Sequence, residues 1–174
     1  MVGTGGQGIM VMGQLLTYAA MREGHHVVWF PTYGPEARGG TAECTVIISS
    51  SEIGSPISAH PNTLIGMHGF LFGKTVHTVR PNGKLVVNSS LIDVQAVRDD
   101  CDIISIPANE AAEEIGNVRA ANMVLLGAYT AVSEVMSIDS LLASLKDVLP
   151  PHRHALIPLN ERAILMGMKL ASRK

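Results

Sequence analysis

Apolar residues along this chain follow two periods in turn. Short runs rich in β-branched residues occupy 25–30, 42–49, 62–67, 84–88 and 101–106, with the length and composition of strands. Stretches with apolar residues three and four positions apart lie between and after them. Ile9, Met12, Leu16 and Ala19 share one face of a helix expected over 9–22, and Gly24 can end it. Further helices are expected over 108–115, 120–136, 138–149 and 158–172. The third of these carries a stripe of Ile138, Leu141, Leu142, Leu145 and Leu149, with Ser137 as its cap and Pro150-Pro151 as its stop. The last has Leu159, Ala163, Met166 and Leu170 at helical spacing. Residues 70–79 fit either period and are read as helical. Met1-Val2 reads as the end of a first strand, short for that role. Residues 3–8, 31–41 and 81–83 are loops or turns on their glycines and prolines.

Strands alternating with helices predict βαβ units. The expected fold is α/β, a Rossmann-like three-layer sandwich around a mostly parallel sheet. No linker, internal repeat or low-complexity segment interrupts the pattern, so residues 1–174 read as a single domain.

Composition narrows the function. Charged residues make up 16%, against about 25% in an average soluble domain, which suggests either a surface partly covered by a partner or a compact α/β domain with both sheet faces buried. The net charge of −2 comes without any basic run, so nucleic-acid binding is not expected. No apolar stretch approaches the roughly 20 residues of a membrane span. The opening Met1-Val2-Gly3-Thr4 lacks the charged and apolar regions of a signal peptide, so the cytoplasm is the expected compartment. Cys44 and Cys101 are the two cysteines. They form no CxxC pair, cannot ligate a four-cysteine cluster, and read as small buried hydrophobes.

Two loops carry candidate chemistry. Gly3-Thr4-Gly5-Gly6-Gln7-Gly8 contains GxGxxG between a strand and a helix. Glycines allow positive φ and close approach, and the helix start offers unpaired N–H groups to an anion. A dinucleotide site also needs an acid at the end of the second strand. That strand ends Val28-Trp29-Phe30-Pro31-Thr32 with no Asp or Glu, which counts against NAD or FAD. Two readings stay open, a tight turn for close packing and a phosphate-binding loop for part of a coenzyme. The second loop is Tyr33-Gly34-Pro35-Glu36-Ala37-Arg38-Gly39-Gly40-Thr41. Arg38 offers a planar fork for a carboxylate or phosphate, or it pairs locally with Glu36. The histidines show no zinc-binding spacing, and no nucleophile–base pair is evident.

The two loops in order, with Gly13, the strand at 42–49, Ile53-Gly54-Ser55-Pro56, Ala121-Asn122, Leu126-Gly127-Ala128 and the trio Asn160, Ala163 and Gly167, resemble the gamma subunits of 2-oxoacid:ferredoxin oxidoreductases. These belong to the pyruvate, ketoisovalerate and 2-oxoglutarate oxidoreductase family. The likeness covers nearly the whole chain. Many relatives carry Asp where Asn62 stands. The resemblance implies a multi-subunit enzyme converting a 2-oxoacid and coenzyme A (CoA) to acyl-CoA and carbon dioxide, with two electrons passed to ferredoxin or another acceptor. It implies that thiamine diphosphate, Mg and 4Fe-4S clusters sit in partner subunits, alpha, beta and in many relatives delta, and that the isolated chain is inactive. No catalytic residue and no metal ligand is expected in this chain. Gly5, Gly6, Gln7, Gly8, Tyr33, Glu36, Arg38, Gly39 and Gly40 are the residues expected to touch a cofactor, CoA in particular, or a partner subunit. The alternative is a free-standing Rossmann-type nucleotide-binding protein. It accounts for the first loop but not the second.

Overall fold

The computed structural model describes residues 1–34, 39–93 and 98–172. Six strands form one sheet in the order β2-β3-β1-β4-β5-β6. They are β1 (Val2–Thr4), β2 (His26–Tyr33), β3 (Thr41–Ser49), β4 (Thr63–Gly66), β5 (Lys84–Asn88) and β6 (Asp102–Ile106). β1, β4, β5 and β6 run parallel, while β3 is antiparallel to both β1 and β2. The sheet is therefore mixed and mostly parallel, as expected. Six helices accompany it: α1 (Ile9–Arg22), α2 (Gly69–Thr75), α3 (Ala108–Glu114), α4 (Ala121–Ser133), α5 (Ile138–Val148) and α6 (Ile157–Ala171).

The two faces of the sheet are covered unequally. On one face α1, α3, α4, α5 and α6 share a core that includes Met12, Leu15, Ile65, Val86, Leu125, Leu126, Leu141 and Ile164. Burying each such side chain contributes about 1.5–3 kcal/mol. On the other face α2 and a 3-10 turn at Val76–Thr78 enclose Val2, Leu64, Leu71, Phe72, Leu85 and Val87. This second layer reaches β1, β4 and β5. On the outer strands Val27, Trp29, Val46 and Ile48 pack into the first core. Alternation sends Val28, Phe30 and Ile47 to the opposite side, where Phe30 is exposed and the other two are half-buried.

Two close approaches set the helix positions. A Cβ on Gly13 of α1 would meet Trp29 Nε1 at 2.7 Å and collide with Cys44 Sγ. Trp29 Nε1 donates to that sulfur at 2.9 Å. Further along, a Cβ on Gly127 of α4 would collide with the Ile164 carbonyl, and one on Gly167 of α6 with the Val124 carbonyl. Helices α4 and α6 thus cross with their backbones in contact.

Several boundaries differ from the sequence expectation. β2 continues past Phe30 to Tyr33, because β3 pairs with it residue by residue as far as Ala42. Pro31 is tolerated inside it because β2 is an edge strand. β1 reaches Thr4, so the first loop starts later than residue 3. α4 stops at Ser133 rather than 136, where Glu134 turns left-handed at φ 53. Residues 70–79 divide into α2 and the following 3-10 turn, and Pro151–Leu156 forms a 3-10 turn ahead of α6. Cys44 is buried, whereas Cys101, expected to be buried too, is only half-buried.

Candidate functional site

The parallel strands β1, β4, β5 and β6 all end at one edge, and both candidate loops meet there. The first loop is clasped by its own glutamine. Thr4 N donates to Gln7 Oε1 at 2.7 Å, Gln7 N to Thr4 O at 3.1 Å, and Gln7 Nε2 to Met67 O at 2.9 Å. Gln7 therefore spends both ends of its amide tying β1 to β4. Gly6 and Gly8 hold φ of 97 and 78, values that L side chains rarely adopt. A Cβ on Gly8 would also collide with Asn122 Nδ2, which lies 3.4 Å from the Gly8 carbonyl. Gly8 occupies the N-cap of α1 with no side-chain cap, so the first-turn N–H groups have no side-chain acceptor. Gly5 and Gly6 are exposed, and nothing lies within 4 Å of a Cβ on Gly6.

The second loop leaves β2 at Tyr33, which is 66% exposed, and rejoins the sheet at Gly39 and Gly40. Gly34 N donates to Thr41 O at 2.8 Å, closing its base. Gly39 has φ 74. Glu36 and Arg38 lie outside the described residues. The decisive contact joins the loops: Gly5 N donates to Gly40 O at 2.9 Å. Residues 35 positions apart in sequence thus form one continuous rim.

Other side chains complete this edge, and sequence reasoning passed over them. Phe70 is 65% exposed at the start of α2, and Leu91 and Val118 are exposed on neighbouring connections. Lys74 stands over the Phe70 ring, 4.4 Å from its centroid. Asn88, fully buried at the end of β5, donates to Asn109 Oδ1 at 3.0 Å and accepts from Ala108 N and Ser90 N. Ser90 donates to Glu110, and that bond holds the Glu110 carboxyl below its usual range. The Asn88-Ser89-Ser90 step from apolar strand to polar residues was the available sequence signal. His68 occupies the N-cap position of α2, with its Nδ1 buried and unpartnered. Among the described residues no group of three or more His, Cys, Asp or Glu could hold a metal ion, and no helix is long and apolar enough to cross a membrane.

This edge can seat an anion against the exposed glycines and the uncapped α1 start, and it exposes Tyr33, Phe70 and Leu91 at separate points along its length. It does not suit a dinucleotide. Antiparallel β3 stands between β1 and β2, which places the end of β2 about 10 Å from the glycine loop, and that end is Tyr33.

The family described as pyruvate ferredoxin/flavodoxin oxidoreductase matches residues 1–170. The ketoisovalerate oxidoreductase subunit VorA of Methanothermobacter marburgensis is 38% identical over 130 residues, which cover 75% of this chain and 27% of that protein. This chain thus spans about a quarter of the length of the first curated relatives it matches. The 2-oxoglutarate synthase subunit KorC of the same organism is 33% identical over 156 residues, covering 86% of this chain and 84% of the relative. Among solved structures, the gamma subunit of a keto/oxoacid ferredoxin oxidoreductase from Geobacter sulfurreducens superposes with a TM-score of 0.84 at 28% identity. It covers 99% of this chain and 96% of that one. The 2-oxoglutarate:ferredoxin oxidoreductase of Magnetococcus marinus, solved with 2-oxoglutarate, coenzyme A and succinyl-CoA bound, shares the fold at a TM-score of 0.88 and 24% identity. The match covers 99% of this chain and 30% of that one.

Proposed function

The chain belongs to the pyruvate ferredoxin/flavodoxin oxidoreductase family, and from that premise we propose that it is the gamma subunit of a cytoplasmic, multi-subunit 2-oxoacid:ferredoxin (acceptor) oxidoreductase. The complex takes a 2-oxoacid and CoA to acyl-CoA and carbon dioxide. Two electrons pass to two ferredoxins or an equivalent acceptor, and the thiol proton is released. Thiamine diphosphate supplies the carbanion chemistry when bound. Thiamine diphosphate, Mg and the 4Fe-4S clusters are held by the alpha and beta subunits, with a delta subunit in some complexes.

The role of this chain is assembly first and coenzyme access second. The observation that carries this reading is the joined rim, where Gly5 N bonds Gly40 O at the sheet edge that also exposes Tyr33, Phe70 and Leu91. Exposed aromatic and apolar side chains at one edge suit a protein partner, with the polar loop as the border of the contact. The glycines and the α1 start suit a phosphate of CoA. Arg38, which lies outside the described residues, is the group proposed to pair with a carboxylate of the partner or with that phosphate.

The test is purification of the tagged chain from its native cells without oxygen. Expected are co-purifying alpha and beta chains and viologen reduction that needs both a 2-oxoacid and CoA. A panel of 2-oxoacids then names the substrate. Arg38→Ala is expected to weaken assembly or raise the apparent KM for CoA. A chain that elutes alone and inactive, under conditions that keep such complexes intact, overturns the assignment. Unchanged assembly and kinetics in the variant overturn the role of the loop.

A further inference from the structure

Among the described residues the buried polar side chains are Asn88, Asn122, Thr130 and Ser144. All but one are accounted for by their own bonds. Asn88 ties the end of β5 to the start of α3, Thr130 donates to Leu126 O at 2.9 Å, and Ser144 donates to Leu141 O at 2.7 Å with Leu15 O at 3.3 Å. Asn122 is the exception. It is 6% exposed near the start of α4, in a run of buried Met123, Val124 and Leu125, and its bond is a long one, from Nδ2 to Gly8 O at 3.4 Å. An amide carries two donor hydrogens and an oxygen with two lone pairs, so a donor and the oxygen stay uncommitted. A buried amide bonded this poorly costs stability that an apolar side chain of the same shape would not. What the side chain does provide is a fit to Gly8, since Asn122 Nδ2 stands where a Cβ on Gly8 would be.

Gly8 is where the glycine loop becomes α1. It is left-handed, at φ 78 and ψ 22, and its carbonyl accepts the first helical bond, from Met12 N at 3.1 Å. Upstream the loop is anchored by Gln7 and by Gly5 N on Gly40 O. Around Gly8 the N–H groups of Gly6, Gly8, Ile9, Met10 and Val11 meet no acceptor among the described residues. Glycine takes left- and right-handed backbone about equally readily, so Gly8 does not hold this conformation by itself. The contact from α4 does.

We propose that Asn122 is the positioning residue of the anion seat: its amide fixes the Gly8 carbonyl and so keeps the N–H groups of the loop and the first turn of α1 open to a phosphate-type anion. The identity of that anion, a phosphate of CoA, rests on the proposed function. Two effects act together. Holding the Gly8 carbonyl fixes the direction of the N–H groups that follow it, so they need no rearrangement when the anion arrives. The amide donor also offsets the negative end of the Gly8 carbonyl, the nearest backbone dipole that would repel an anion.

The position of Asn122 separates anion binding from assembly. Its side chain is buried, whereas Tyr33, Phe70 and Leu91, the residues proposed to meet a partner, are exposed. Changing the amide therefore alters the seat from behind and leaves the contact surface as it is.

The test is kinetic and uses the complex purified through this chain. Asn122→Leu keeps the shape of the amide and removes its donors. Asn122→Asp keeps the shape and adds a negative charge. The apparent KM for CoA is expected to rise at least about tenfold in the first and about a hundredfold in the second. In both, the KM for the 2-oxoacid should stay within about twofold and kcat at saturating CoA within about threefold, the pattern of lost ground-state binding. Asn122→Ser, the mildest change to packing, is read in the same way if the other two fail to assemble. Three outcomes overturn the role of Asn122. One is an unchanged KM for CoA in a variant that assembles. A second is a rise in both KM values or a fall in kcat alone, and a third is failure of all three variants to assemble; either makes the residue a structural one. A wild-type complex whose activity does not depend on CoA overturns instead the assignment that names the ligand, so the two failures are told apart.

Discussion

At the scale of single residues, glycine and glutamine build the candidate site. Gly5, Gly6 and Gly8 were legible in the sequence as a loop that could approach a ligand, and the structure shows two of them at positive φ. The inward role of Gln7 was not legible, because it depends on Met67 O, sixty residues away, and an amide side chain carries no sign of its direction. The same limit hid Asn88, whose side chain joins its own turn at Ser90 to the start of α3 at Ala108 and Asn109, twenty residues on. The cysteines give a direct test of local environment. Cys44 is 2% exposed, and burial pushes its thiol pKa up, while Cys101 is half-buried. Thiolate is the reacting species, so an aromatic disulfide reagent is expected to modify Cys101 at least about tenfold faster than Cys44 in the native protein. The unfolded protein should lose that difference, and Cys101→Ser should leave the native protein nearly unreactive.

At the scale of elements, sequence pattern located β2 to β6 and most helices, because each buried face repeats at its own period, while β1 was read only from Met1-Val2 ahead of the glycine loop. What it missed were ends. β2 overran its expected stop because its partner strand holds it, and α4 ended early because Glu134 adopts a conformation usually left to glycine. Gly127, Ala163 and Gly167, part of the sequence resemblance, turn out to be packing residues at the α4–α6 crossing. Gly167→Ala forces a methyl against the Val124 carbonyl. The expected cost is about 2–3 kcal/mol, a fall in Tm of roughly 5–10 °C for a domain of this size. Gly73→Ala in α2 is the matching control, since nothing lies within 4 Å of its Cβ. It is expected to hold or slightly raise Tm, as Ala replaces Gly inside a helix.

At the scale of the whole molecule, the α/β class was legible but the strand order was not. Placing antiparallel β3 between β1 and β2 is a long-range choice that local periodicity does not record. The pH response of global stability is also set across elements. Glu23, at the end of α1, accepts from the hydroxyl and backbone N–H of Ser137 ahead of α5, and hydrogen bonds from Ser140 and Ser137 hold its carboxyl below the ordinary value. The Arg98 guanidinium does the same to Asp100, and the Ser90 hydroxyl to Glu110. For each, the unfolded chain binds the proton more readily. The contribution is therefore complete above the ordinary carboxylate range and is lost as pH falls through the folded values, below about pH 4. Urea midpoints measured from neutral pH downward are expected to fall in that window, and Glu23→Gln is expected to flatten the fall. All three groups are exposed, so added salt should shrink the effect. The helix crossing has a consequence of a different kind, for how this sequence can diverge. Every possible replacement of glycine adds at least one carbon, so no small first step exists at 127 or 167, and lineages carrying the fold must keep both positions while the exposed loops between α3 and α6 wander.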